Sequence, residues 1–128
     1  MKITRTAYER DSTGEHAELF LKVRDYIKVC IGNDAREKHS ANITTLFSRE
    51  GGFCYIRVKE DYIHIGWLRG RHLPDPYNLL FGKAKTIRGQ KVHKLDKPTR
   101  DVIKHYVHET LMYLFEHNAL QELKKKRR

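Results

Sequence analysis

The chain has 128 residues, enough for one domain with its own hydrophobic core but too few for two. Lysine and arginine outnumber aspartate and glutamate by 26 to 16, and the net charge of +10 indicates anionic partners such as nucleic acid or phosphate groups, unless it serves solubility alone. Apolar runs stay far below the roughly 20 residues of a membrane span, and the N-terminus lacks the apolar segment of a secretory signal. We therefore expect a cytoplasmic protein without a membrane anchor.

A first helix is predicted over about residues 13–31. Ser12 and Glu15 have the spacing of a capping box, with Ser12 as the N-cap. Apolar residues then recur at helical spacing as far as a glycine stop. The polar residues before this helix, 1–11, and after it, 33–41, predict no regular structure.

Three short strands are predicted next, over residues 42–48, 53–59 and 62–68. The second and third are joined by so short a link that they must be antiparallel neighbours, and the whole run is typical of a meander. One side of the strands carries, in chain order, Ile43, Thr45, Phe47, Cys54, Ile56, Val58, Ile63, Ile65 and Trp67. The apolar side needs a helical cover, and the alternation leaves Phe53, Tyr55 and His64 on the opposite, open side.

The connection that follows predicts a short helix. Asp75 is a good N-cap and Pro76 a good first helical residue, so about one helical turn is expected over 77–81. A last strand over 86–95 and a helix that begins near Pro98 come next. The predicted single domain, 1–128, thus has a helix over about 13–31, strands between about 42 and 95, a helix over about 98–118 and a basic tail at 124–128.

The fold class these elements predict is α+β. An antiparallel sheet of about four to five strands is covered on one face by two helices, and a short helix separates the last two strands. The two long helices are the only candidates for that cover, because no other predicted element carries an apolar stripe.

The positive charge is concentrated in the connection. Positions 69–100 hold nine basic and two acidic residues, whereas the chain before them is almost neutral. If the flanking strands lie close together, converging side chains beside Gly82 could grip phosphate or carboxylate. The candidate anion-binding residues are Arg69, Arg71, Lys83, Lys85, Arg88 and Lys91, with Lys94 beside them. The alternative is that Arg88 pairs with Asp75 and only fixes the loop.

No catalytic pattern stands out. His108 and Glu109 begin like a zinc-protease helix, but Met112 stands where the second histidine should be. Cys30 and Cys54 lie in apolar patterns, which indicates buried reduced thiols and an intracellular protein. We therefore predict no enzyme, no cofactor and no metal site.

A set of short motifs carries a resemblance to a known family. They are Ile63-His64-Ile65-Gly66-Trp67, Arg69-Gly70, Leu73-Pro74-Asp75-Pro76, Leu79-Leu80-Phe81-Gly82 and Lys85-Thr86-Ile87-Arg88. In this order and spacing, the run from Phe53 to about Phe115 resembles the YdhG-like family of small bacterial domains of unknown function. The resemblance implies a sheet-and-helix sandwich similar to frataxin. The chain departs from the family's pattern on its first strand and at Gln90.

Three functions follow as hypotheses. The first is a non-catalytic module that binds an anionic ligand or nucleic acid through its basic surface. The second, implied by relatives described as iron chaperones, is iron binding, for which the carboxylates would be Glu9, Asp11, Glu15 and Glu18; the basic charge of the domain disfavours it. The third is a homodimer formed through the open side of the sheet, with Phe53 and Tyr55 exposed there.

Overall fold

A computed structural model describes residues 5–127 and confirms the α+β prediction. Five strands form one antiparallel sheet in chain order, from β1 at one edge to β5 at the other. The helices are α1 (Ala7–Thr13), α2 (Ala17–Ile31) and α3 (Lys97–Lys126), and the strands are β1 (Arg36–His39), β2 (Thr44–Ser48), β3 (Gly51–Lys59), β4 (Tyr62–Trp67) and β5 (Arg88–Val92). Among the residues from 5 to 127, no helix combines the length and the apolarity needed to cross a membrane.

Helices α2 and α3 lie against one face of the sheet, which we call the covered face. The core between them includes the predicted side chains of β3 and β4, among them Cys54, Ile65 and Trp67. Trp67 is fully buried, and its indole N–H donates to the side-chain oxygen of Gln90 at 2.9 Å. Gln90 therefore supplies the one hydrogen-bond partner that the buried indole needs.

A separate helix, α1, precedes the predicted one and begins within residues 1–11, for which the sequence predicts no regular structure, so the predicted capping box is wrong. Thr6 caps α1 by accepting a hydrogen bond from the amide of Glu9 at 3.1 Å, which places Ser12 inside α1. Gly14 separates α1 from α2. The spacing from Thr6 to Glu9 matches the same capping pattern as that from Ser12 to Glu15, and the earlier pair carries the cap.

Strand β1 lies where the sequence predicts an irregular connector. Its residue Glu37 faces α2, where the guanidinium of Arg24 binds both carboxylate oxygens, with an Nε to Oε2 distance of 2.8 Å. The hydrogen bond from Arg24 lowers the pKa of Glu37 to about 2, against the opposing effect of burial. A carboxylate in place of an apolar residue on the covered face removes the alternation by which strands are recognised.

Two further differences lie in β2 and β3, and a β-bulge explains the first of them. Leu46 pairs with Cys54 and Phe47 with Gly52, so Phe53 is an extra residue in β3. Phe53 is consequently buried in the core instead of lying on the open side. Strand β2 is also inverted relative to the prediction, because Thr44, Leu46 and Ser48 are buried while Thr45 and Phe47 point the other way.

The short helix predicted over 77–81 is absent, and a 3-10 turn lies earlier, at Gly70–His72. Asp75 does act as a cap, since its carboxylate accepts hydrogen bonds from the amides of Leu79 at 3.2 Å and Leu80 at 3.0 Å. The backbone nevertheless leaves the helical region at Asn78, where φ is +55°. The chain then runs extended into Phe81, which pairs with the edge of β5.

Helix α3 is longer than predicted and includes the basic tail. It continues to Lys126, so Lys124, Lys125 and Lys126 are helical. The Asn118 side chain donates to the backbone oxygen of Glu50 at 3.1 Å, and the residues after it are mostly exposed. Arg128 lies outside the described residues.

Candidate anion-binding surface

The predicted cluster is divided in the structure. The Arg71 amide donates to Thr86 O at 2.9 Å and its guanidinium to Lys85 O at 3.3 Å. The Arg88 guanidinium donates to Ala84 O and, at 2.8 Å, to Ile87 O. These two arginines therefore use much of their donor capacity to hold the connection in place. In the same loop, the candidates whose side chains stay free are Lys83 and Lys85.

The other candidates lie elsewhere. The Arg69 guanidinium carbon lies 5.8 Å from the ring centroid of Tyr113, on α3. The Lys94 ammonium lies 3.5 Å from Asp96. Lys91 is on the face of the sheet opposite the helices, so convergence beside Gly82 is limited to part of the predicted set.

The expected alternative, a pair between Arg88 and Asp75, is wrong. Asp75 instead accepts a hydrogen bond from the hydroxyl of Tyr106 on α3, in addition to the two loop amides. Burial alone would raise the pKa of Asp75, but the hydrogen bonds from Tyr106 and the amides outweigh it and lower that pKa. Asp75 thus ties the connection to α3 rather than neutralising an arginine.

The face of the sheet opposite α2 and α3, which we call the open face, carries cations on β1, β3 and β5. The register sets Arg57 opposite His64, and His64 opposite Lys91, all pointing away from the helices. The basic residues at outward positions of the strands are Arg36, Lys38, Arg57, Lys59 and Lys91. No aspartate or glutamate occupies an outward position of the five described strands.

Two aromatic rings on this face lie over glycines. A Cβ added at Gly66 would meet the Tyr55 ring at 2.1 Å, and one added at Gly89 would meet the Phe81 ring at 2.6 Å. The position of Phe81 is fixed by a pair of backbone hydrogen bonds to Gly89, of 2.8 and 3.0 Å. The glycines therefore leave the space that lets both rings lie close to the sheet.

His64 lies between the two rings. Its Nε2 is 3.3 Å from the Tyr55 hydroxyl, and its ring meets the Phe81 ring edge-on at a centroid distance of 5.8 Å. Although the side chain points to the open face as predicted, it is only 7% exposed, so the expectation of a surface histidine is wrong. Burial, together with the charges of Arg57, Lys59 and Lys91, lowers the pKa of His64. A neutral imidazole is therefore surrounded by cations.

Lys91 lies beside two of the aromatic rings. Its Nζ is 5.2 Å from the ring centroid of Tyr62 and 5.7 Å from that of Phe81. The other lysines of the open face, Lys38 and Lys59, are exposed. Ammonium groups in this setting keep donors free for an external anion.

Four of the five cations on the open face lie outside the predicted cluster. Lys59 is hidden in the regional charge because Glu60 and Asp61 follow it in sequence, and Lys38 is hidden because Glu37 precedes it. Sorting charges by the two-residue period of a strand would have found them, since Arg57 and Lys59 fall on one side of β3. Only Lys91 belongs to both the predicted cluster and the open face.

The described residues give little support for metal binding or for the predicted dimer contact. Within residues 5–127 no three His, Cys, Asp or Glu side chains are grouped so that they could hold a metal ion. Glu18 pairs with Lys22 at 2.9 Å, and Asp11 accepts a hydrogen bond from the Val58 amide. Burial of Phe53 leaves only Tyr55 of the two aromatics that were expected to support a dimer through the sheet.

No protein-family model matches this chain, and no curated protein or solved structure matches it either. The resemblance to the YdhG-like family stays a prediction.

Proposed function

We propose that this chain is a non-catalytic binding module for nucleic acid, and that the open face of the sheet is its contact surface. The observation that carries the proposal is the sorting of charge by strand position: five outward cations and no outward carboxylate on the described strands. A field of one sign across a sheet attracts a polyanion and holds it without any single dominant contact.

The dimensions of the open face favour an extended anion over a small one. Neighbouring strands lie about 4.8 Å apart, so the outward cations of β1 and β5, such as Lys38 and Lys91, are separated by about 19 Å across the sheet. A single phosphate or carboxylate can contact only one end of such a row. A chain of phosphates can neutralise several of its cations at once and release their counterions.

The cellular compartment is part of the proposal. Cys30 and Cys54 are both free, and burial raises the pKa of both thiols, so neither is poised for oxidation. A protein with two unpaired thiols suits the reducing cytoplasm, where nucleic acid is available to a basic surface.

Three matched triple variants test where the polyanion binds. Each removes three positive charges: Lys38, Lys59 and Lys91 to Gln on the open face; Lys83, Lys85 and Lys94 to Gln in the connection; and Lys124, Lys125 and Lys126 to Gln at the end of α3. Because the change in net charge is equal, a difference in affinity reports location and not total charge. Anisotropy of a labelled nucleic acid, recorded against salt concentration, is the measurement.

We expect the open-face triple to weaken binding most and to reduce the slope of log affinity against log salt by about 2, since each lost phosphate contact removes about 0.7 to 0.9. The other two triples should change the slope by less than one contact. Equal losses in all three would show non-specific attraction by net charge alone. A loss confined to either control triple would overturn the assignment to the open face.

A further inference from the structure

We propose, on the basis of that function, that the open face selects single-stranded over duplex nucleic acid by stacking a base on the exposed ring of Phe81. Phe81 is 42% exposed and lies at the β5 edge of the open face, while Tyr55 is half-buried nearer the middle of the sheet. An aromatic ring in a cationic surface is a platform for an unpaired base, because every base has a π-face.

The width of the sheet argues against entry into a duplex groove. Five strands with about 4.8 Å between neighbours span about 19 Å, whereas the major groove of B-DNA is about 12 Å wide and the minor groove about 6 Å. An undistorted duplex would therefore contact the open face only through phosphates on its outside. Its bases would remain stacked on one another and could not reach Phe81.

A single strand can use both kinds of contact at once. The ammonium of Lys91 lies 5.7 Å from the ring centroid of Phe81, so a phosphate bound at Lys91 leaves the attached nucleoside next to that ring. Arg57 and Lys59, on β3, continue the row of cations across His64 and Tyr62. The strand would thus run across the sheet with its phosphates on the cations and one base at Phe81.

The ring is held in place before any ligand arrives. Two backbone hydrogen bonds to Gly89 fix the main chain of Phe81, and His64 supports the ring from one side. The absence of a side chain at Gly89 lets the ring lie close to the backbone. A platform ordered in advance loses little conformational entropy on binding, which favours affinity.

The test uses a labelled single strand of about 12 nucleotides and the same strand annealed to its complement, with anisotropy read at one salt concentration. Phe81→Leu keeps an apolar side chain but removes the aromatic face, and Phe81→Tyr keeps the face. Tyr77→Leu is the matched control, since Tyr77 is 44% exposed but packs against His105 and Tyr106 on the other side of the connection.

We expect Phe81→Leu to weaken single-strand binding about tenfold and to leave duplex binding unchanged, with Phe81→Tyr close to wild type and Tyr77→Leu without effect. Emission of Trp67, the single tryptophan, verifies the fold of each variant from inside the core. Should Phe81→Leu disturb the fold, Phe81→Met removes the aromatic face with a different apolar side chain and is expected to reduce the preference for single strands in the same direction.

The outcomes separate the inference from the function on which it rests. If the open-face lysine triple weakens both probes equally and loss of the Phe81 ring has no effect, the surface binds polyanions but stacking is overturned. If wild-type protein binds the duplex as tightly as the single strand, the selectivity is likewise overturned. If neither probe responds to the open-face triple, the proposed function itself fails.

Discussion

The two faces of the same sheet differ in almost every physical property. On the covered face, Cys54, Ile56 and Ile65 are fully buried beneath α2 and α3. On the open face, Tyr55, Arg57 and Lys59 follow one another along β3, and His64 and Tyr62 of β4 are covered by neighbouring side chains. Because side chains along a strand alternate with a period of two, β3 contributes apolar residues to the core on one side and charged residues to the surface on the other.

The helices alone do not determine which side chains are buried. His64 and Tyr62 are nearly as buried as core residues although they lie on the open face, because neighbouring side chains cover them. Glu37, conversely, is charged although it lies on the covered face, because Arg24 satisfies it. The open face thus contains buried side chains, and the covered face contains a charged one.

The largest effect we expect comes from a pair of substitutions on opposite faces. Ile65→Ala removes a fully buried side chain from the covered face, and we expect it to lower the free energy of unfolding by about 3 kcal/mol through lost burial and the cavity left behind. Lys91→Ala, one strand away on the open face, should change it by less than about 0.5 kcal/mol. Urea unfolding followed by Trp67 emission measures both.

Equal costs for the two variants would contradict the division into a packed and a solvated face. The affinity of the same two variants for nucleic acid, measured under native conditions, should show the opposite order of effects. Lys91→Ala should reduce it while Ile65→Ala, if folded, should not, since the latter side chain is 0% exposed.

A smaller effect is expected from Gly66→Ala, which tests how the open face is built. The new Cβ would lie 2.1 Å from the Tyr55 ring, so the ring must move and we expect a loss of about 2 kcal/mol in stability. Combining it with Tyr55→Ala removes the clash, so the double variant should lose less than the sum of the two single losses. If the two stability losses simply add, Gly66 is not needed to make room for the Tyr55 ring.

Much of the fold could be predicted from the sequence, because hydrophobic periodicity is strong where packing is regular. The alternation of Ile63, Ile65 and Trp67 places β4 correctly on the covered face, and the apolar stripe of α3 places that helix against the sheet. The bulge at Phe53 could not be predicted, because an extra residue shifts the phase without a sequence signal of its own.

The candidate surface could be predicted only in part, because the sequence shows charge along the chain, whereas the surface is assembled across it. Lys91 was identified from the basic connection. Lys38 and Arg57 belong to strands in nearly neutral stretches, and only the register of the sheet brings them onto one face. Arg71 and Arg88, prominent in sequence, donate to backbone carbonyls of the loop instead.

The smallest effect we argue concerns Glu37, the charge on the covered face. Its pKa is lowered to about 2 by Arg24, so the pair stabilises the fold fully above the ordinary glutamate pKa near 4.5, and that contribution is lost as the pH falls toward 2. We expect Glu37→Gln to lower the free energy of unfolding by about 1.5 kcal/mol at neutral pH, because Arg24, itself largely shielded from water, then keeps only the exposed Asp25 as a charged partner.

The gap between wild type and Glu37→Gln should shrink as the pH is lowered from 5 towards 2, because the wild-type carboxylate then becomes neutral as well. Glu18→Gln is the matched control: Glu18 also pairs with a cation, Lys22, but its side chain is 84% exposed, and water and salt screen such a pair. Urea unfolding at each pH, followed by Trp67 emission, gives both gaps. If the difference in unfolding free energy between wild type and Glu37→Gln does not change with pH, the loss comes from the geometry of the amide and not from the missing charge. Strand β1 would then be held at the sheet edge by its backbone pairing with β2.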